Sequence, residues 1–173
     1  MNAAAGRGRR RPIARERQAA YDAERFAFEG SWLLGTVPPA VAVRLTERVL
    51  ATPAWRRLHP EPITVLRTRR ADSYCTSDRR VGFGTVVEVA TIAHELAHAV
   101  THHRHPDSPG HGCEWRGWFV AIVALLHGDE EADGLTDAFA TYGLAVARPR
   151  VEWTGRPLLD ARSLGSSTRT SST

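Results

Sequence analysis

The feature that most constrains this chain is the run His94-Glu95-Leu96-Ala97-His98, which lies inside a long apolar segment. The residues on either side of it are small or aliphatic and uncharged, which predicts a buried helix. Residues four apart on a helix lie on the same face, about 6 Å apart along its axis. The imidazoles of His94 and His98 can therefore bind one metal ion from two successive turns.

Glu95 follows His94 directly and is turned from it by about 100° around the helix axis. Its carboxylate can therefore reach a water molecule beside the ion without becoming a ligand itself. The spacing predicts a hydrolytic site that binds one Zn²⁺ per chain, with Glu95 as the general base.

A catalytic zinc site uses three protein ligands and keeps one position open, so a third ligand is expected outside this run. His111 is the favoured candidate because it lies 13 positions after His98, beyond a loop with two prolines and a glycine, at the start of another apolar helix. That helix can pack back against the first one. The alternatives are His102, His103, His105 or a carboxylate.

The rest of the chain predicts an α+β fold, with a small, largely antiparallel sheet packed on the helix that carries the histidines. Thr85-Val86-Val87-Glu88 has the form of a capping box, which predicts that this helix begins at Thr85. Further helices are predicted over 14–29, from 38 to 53, from 111 to 128 and over 135–142, and strands over 63–66, 73–76 and 81–83.

The composition predicts one globular domain, because 42% of the 173 residues are hydrophobic and 24% are charged. The arginines are unevenly distributed, and residues 1–12 are expected to form a disordered arginine-rich arm that can bind nucleic acid weakly through its phosphates. The domain itself is expected over 13–150. Residues 151–173 are expected to form a C-terminal extension, disordered from about 163, where serine and threonine dominate.

The two cysteines, Cys75 and Cys113, are too few for a disulfide framework and are expected to be free thiols. The longest apolar run, Trp118 to Leu126, is far shorter than the ~20 residues of a membrane helix, and the N-terminal region has no apolar stretch of signal-peptide length. We therefore expect a cytoplasmic protein without a membrane partner. The sequence makes no prediction of the oligomeric state.

Two segments together resemble the pattern of the SprT-like (Spartan-type) zincins, in which HExxH is followed by H-G-x-E-[FW]. They are the run at 94–98 and His111-Gly112-Cys113-Glu114-Trp115. The order of the predicted elements is also similar to that of a group of small bacterial metallohydrolases, and the similarity covers about residues 14–147. SprT-like proteins often carry a four-cysteine zinc ribbon, for which this chain has too few cysteines.

The resemblance implies a zincin-like fold, zinc ligation by His94, His98 and His111, and general-base catalysis by Glu95. It also implies a peptide or protein substrate that pairs with the edge of the sheet near residues 73–84. The expected function is therefore that of a zinc metallopeptidase. Two other functions fit the sequence: a nucleic-acid-associated binding protein with a structural or vestigial zinc site, and a metal-dependent hydrolase of a non-peptide bond.

Three further residues have both a functional and a structural interpretation. Glu114 could orient a ligand, or it could be an exposed glutamate of a first helical turn. Tyr142 could stabilise an oxyanion, although its spacing from Phe139 is typical of a core residue. Cys113 is expected to be a packing thiol.

Overall fold

The computed structural model describes residues 5–149, 151 and 156–159, with side chains from residue 14 onward. Within this part of the chain, helices surround two small sheets, which places the fold in the α+β class. The helices are α1 (Ala5–Ala27), α2 (Pro39–Leu50), α3 (Pro53–Leu58), α4 (Val89–Arg104), α5 (Cys113–His127) and α6 (Asp129–Thr141). The strands are β1 (Thr36–Val37), β2 (Thr64–Arg67), β3 (Tyr74–Thr76), β4 (Arg80–Phe83) and β5 (Val87–Glu88).

The larger sheet is mixed and not largely antiparallel as predicted. Its strand order is β2-β4-β3, in which β4 runs antiparallel to β3 and parallel to β2. A tight turn joins β3 to β4 and so makes that pair antiparallel. The other edge of β4 then pairs with β2, which precedes both strands in the sequence, and the spacing of strands along the chain does not reveal such a pairing.

The helix that carries the two histidines begins later than the sequence predicts. Val87 and Glu88 form β5, which pairs antiparallel with β1, and α4 begins at Val89. Glu88 is the N-cap residue in an extended conformation, and its side chain makes no capping hydrogen bond. The predicted capping box at Thr85 is therefore wrong, because pairing with β1 holds the backbone of this segment extended.

α1 begins at Ala5 and not at Ala14, so residues 5–12 of the arginine-rich segment are helical, whereas disorder was predicted. Alanine and arginine are both strong helix formers, which favours this longer helix. Residues 1–4 and the C-terminal residues 163–173, which were also predicted to be disordered, lie outside the described residues.

α4 lies at the centre of the hydrophobic core and packs chiefly against α5. Gly128 and Gly143 have positive φ angles and follow the ends of α5 and α6, as predicted. α3 was not predicted, because Pro53 was expected only to end α2. Proline is also favoured in a first turn, and here Thr52 caps the new helix by accepting a hydrogen bond from the backbone of Trp55.

Cys75 and Cys113 are free thiols, as predicted. Burial raises the pKa of Cys75 to about 12, so this residue is a neutral thiol. Among the described residues, every helix is too short or too polar to cross a membrane.

His127 ends α5 in a buried position, with its ring edge-on to Trp32 at 5.3 Å between centroids. Burial lowers the pKa of His127 from 6.5 to about 4, although the backbone of Leu159 favours the charged form slightly. The unfolded chain therefore takes up this proton at a higher pH than the folded chain does. Stability from the neutral ring is present above pH 6.5 and is lost as the pH falls from there to about 4.

We expect acid to destabilise the wild type but not His127→Phe at this position, because phenylalanine keeps an aromatic ring and cannot be protonated. The free energy of unfolding of the variant relative to that of the wild type should therefore increase by roughly 2–3 kcal/mol between pH 7.5 and pH 4.5. This figure follows from about 1.4 kcal/mol for each unit of difference between the folded and unfolded pKa. Urea unfolding of the two metal-free proteins at both pH values measures it. The same stability difference at both pH values would contradict this role for His127.

Candidate metal centre

Three histidines from α4 and from the turn before α5 converge. His94 and His98 lie on successive turns of α4, and His111 lies two residues before α5 begins. One ring nitrogen from each of the three lies within 4.8 Å of those of the other two, with His94 buried and the others partly buried. The three histidines that the sequence singled out are therefore close together and could hold a metal ion.

One of the distances between these nitrogens is close to that expected for two ligands of a single metal ion. The Nε2 atoms of His94 and His111 are 3.3 Å apart. Two ligand nitrogens at about 2.0–2.1 Å from a tetrahedral zinc ion would be about 3.3–3.4 Å apart. The donor set also fits, because imidazole nitrogens are common zinc ligands.

The alternative third ligands do not join this group. His102 lies one turn after His98, with 6.0 Å between their ring centroids, but it is not part of the close cluster of nitrogens. His103 packs against His59 at 4.7 Å, and His105 is exposed beyond the end of α4. The loop after α4 therefore brings His111 to the pair, as predicted.

The position of His111 depends on a buried arginine that the sequence analysis did not identify. Arg116 is only 2% exposed, and its guanidinium donates to the backbone oxygen of His111 at 2.7 Å and to that of Ala145 at 2.6 Å. It also donates to the carboxylate of Glu16 on α1 at 3.0 Å. Arg116 thus fixes the segment that carries His111 to α1 and to the chain that follows α6.

Glu24 on α1 was also missed, although it touches one of the histidines directly. Its Oε2 lies 2.9 Å from Nδ1 of His94. A carboxylate here favours a proton on Nδ1 and leaves the Nε2 lone pair free for a metal ion. The sequence contained a pattern that could have revealed Glu24. It lies four residues from Ala20 and four from Phe28, which are both buried, so helical spacing places an acid on the buried face of α1.

The electrostatics of the site keep two of the histidines neutral. Burial lowers the pKa of His98 to about 2 and that of His111 to about 3, so each ring retains a lone pair for coordination. Burial also disfavours the charged form of His94. Glu24 and Glu95 outweigh this effect, and the pKa of His94 is raised.

Glu95 is buried beside the histidines, and its Oε2 has no hydrogen-bond partner among the described residues. Burial raises the pKa of this carboxyl to about 7, although the neighbouring His94 opposes the shift. An unpaired carboxylate that binds protons near neutral pH has the properties of a general base.

Aromatic rings and an open cleft form the surroundings of the histidines. Trp115 packs against His111 and His98, with 4.5 Å and 5.2 Å between ring centroids. Tyr21 of α1 also lies over His94, and it lines a cleft of about 680 Å³. This cleft reaches His94 and Glu95, so a ligand from solvent can approach the site between α1 and α4.

Glu114, Tyr142 and Cys113, which had both a functional and a structural interpretation, lie outside the cluster of histidines. Glu114 accepts a hydrogen bond from Ser108 at 2.9 Å and so ties down the loop before α5. Tyr142 follows α6, where its ring lies 6.2 Å from that of Phe26. Cys113 is the first residue of α5 and is not part of the metal-binding group.

The contact between Glu24 and His94 should increase zinc affinity, because the carboxylate orients the His94 ring. We expect Glu24→Gln to weaken zinc affinity by about 10–100-fold, the usual effect of removing such a partner, while the fold persists. Competition with a chromogenic chelator measures this affinity. Glu29→Gln is the matched control, because Glu29 is exposed just after α1. Equal zinc affinity in the two variants would show that Glu24 has no such role.

Comparisons of the chain with protein-family models, curated proteins and solved structures found no match. The class of protein is therefore defined by its own fold and site. It is an α+β protein with three clustered histidines that could hold a metal ion.

Proposed function

We propose that this chain is a zinc-dependent hydrolase of the zincin type that cleaves peptide bonds. The observation that carries the proposal is the position of Glu95, whose unpaired carboxylate oxygen lies beside the histidine cluster and next to an open cleft. A site with a purely structural role needs four closed ligands and no base. Among the described residues, the metal-binding group offers three ligands, one fewer than a structural site needs.

Each residue has a separate part in the proposed reaction. His94, His98 and His111 would hold the ion, and Glu24 would keep the His94 ring in the orientation and tautomer that it needs. When bound, zinc acidifies water and polarises a carbonyl group. Glu95 removes a proton from the attacking water and then delivers it to the leaving amine.

The edge of the larger sheet supports a peptide as the substrate. β3 is an edge strand of that sheet, and the cleft is lined by Ala71, Asp72 and Ser73 immediately before this strand. An extended peptide can add to such an edge through backbone hydrogen bonds, which would place its carbonyl groups along the cleft. A hydrolase of non-peptide bonds would use the same metal and base, so the substrate must be found by experiment.

The test is hydrolysis by the purified 173-residue chain in its zinc-loaded, metal-stripped and zinc-restored forms. We expect cleavage of an unfolded protein such as casein by the first and third forms only. A panel of ester and amide substrates without a peptide backbone is measured in parallel. Zinc-dependent turnover of that panel alone would replace the peptidase proposal with the non-peptide one, and a fully zinc-loaded chain that is inert throughout would contradict both.

Binding of nucleic acid by the arginine-rich arm stays a prediction, because no side chain is described before residue 14. SprT-like membership likewise remains a proposal. It rests on the two histidine segments and on the α+β arrangement around α4.

A further inference from the structure

Tyr21 on α1 lies over the histidine cluster, far from it in sequence. Its ring stacks on that of His94 at 5.5 Å and an interplanar angle of 6°, and it contacts the ring of His111 at 5.0 Å. It also lines the cleft together with His94 and Glu95. No other tyrosine of the described chain contacts these histidines.

Core packing does not account for this side chain. The buried face of α1 is formed by Ala20 and Ala23, with Phe28 just beyond its end, whereas Tyr21 is 43% exposed. The polar side-chain contacts of α1 within the described residues are made by Glu16, Gln18, Asp22, Glu24 and Arg25. The Tyr21 hydroxyl is therefore available to a ligand in the cleft.

Tyr142, the tyrosine that the sequence suggested for an oxyanion, does not occupy this place. It contacts Phe26 at the far side of α1 and is 39% exposed there. The two tyrosines have similar exposure, but only Tyr21 borders the histidines.

We propose that Tyr21 is a catalytic residue, whose hydroxyl donates a hydrogen bond to the substrate carbonyl oxygen as negative charge develops on it. This inference rests on the proposed function. The water oxygen forms a bond to the carbonyl carbon, the carbonyl π electron pair moves onto its oxygen, and Glu95 takes the proton of the water. The oxyanion electron pair then re-forms the C=O bond, the C–N bond breaks, and Glu95 passes the proton to the leaving amine. Tyr21 keeps its own proton throughout.

The chemistry of the site explains why a donor is needed there. A preorganised hydrogen bond to the developing oxyanion is stronger in the transition state than in the ground state, so it lowers the barrier. Glu95 is committed to the proton of the water and Glu24 to His94. Tyr21 is a neutral donor at the mouth of the site, and its stacked ring limits how far the hydroxyl can move.

The test uses isothermal titration calorimetry to compare two small ligands that compete for the same open position on the zinc-loaded 173-residue chain. Acetohydroxamate binds through oxygens that accept hydrogen bonds well, and 2-mercaptoethanol binds through sulfur, a weak acceptor. We expect Tyr21→Phe to lower the affinity for acetohydroxamate about tenfold or more, and that for 2-mercaptoethanol by less than about twofold. Tyr142→Phe, the same chemical change away from the site, should alter neither affinity. The zinc content of every sample is measured.

Three outcomes would overturn this role for Tyr21 while the proposed function stands. They are an unchanged affinity of Tyr21→Phe for acetohydroxamate, an equal loss for both ligands, and a loss of zinc from the variant. A wild type that is fully loaded with zinc but binds neither ligand would have no exchangeable position, and the proposed function would then fail together with the role of Tyr21.

Discussion

Glu95→Gln is expected to abolish turnover while zinc and fold are retained. Glutamine keeps the size of the side chain but cannot accept a proton from water, and general-base catalysis typically contributes roughly 10²–10⁴-fold. The rate of zinc-dependent hydrolysis should fall by at least that factor. Zinc content and melting temperature, measured on the same preparation, should stay close to those of the wild type.

The buried position of Glu95 makes this variant a clean test. Burial already disfavours the charged carboxylate, as its raised pKa shows, so a neutral amide is not expected to destabilise the fold. Glu114→Gln is the matched control, because Glu114 is bonded to Ser108 and lies outside the cluster. The control should retain wild-type turnover. A Glu95→Gln protein that is as active as the wild type at full zinc occupancy would rule out the proposed mechanism.

His111→Ala is expected to have the second large effect, which is loss of the metal. Four-ligand structural zinc sites are worth roughly 10–16 kcal/mol, or about 2.5–4 kcal/mol for each ligand. Removal of one of three histidines should therefore weaken zinc binding by at least about a hundredfold. The melting temperature of the zinc-loaded sample should fall too, because metal that binds only the folded state stabilises it.

His105→Ala is the control for this measurement. His105 is an exposed histidine in the same part of the chain and was one of the alternative third ligands. Its replacement should leave both zinc affinity and melting temperature unchanged. Full retention of zinc by His111→Ala would show that another residue completes the site.

The sequence was most informative where the spacing of residues is local. His94 and His98 are neighbours on one helix because they are four residues apart, and the proline-containing loop limits where His111 can lie. The convergence of these residues could therefore be predicted without knowledge of the rest of the fold. The same holds for the start of α2 at a proline and for the glycines that follow α5 and α6.

Contacts across the chain could not be predicted in this way. Glu24 reaches His94 from 70 residues away, and Glu16 reaches Arg116 from 100 residues away. These pairs depend on how α1 lies against the other helices, which local patterns do not specify. The segment at Thr85 shows the same limitation, because pairing with β1 prevailed over a local capping pattern.

Zinc K-edge X-ray absorption of the purified, zinc-loaded chain can reveal the kind and number of zinc ligands without a substrate. We predict one zinc per chain, with three imidazole nitrogens at about 2.0–2.1 Å and a fourth ligand of oxygen that acetohydroxamate displaces. A sulfur ligand at about 2.3 Å, or four imidazole ligands that acetohydroxamate leaves unchanged, would contradict it.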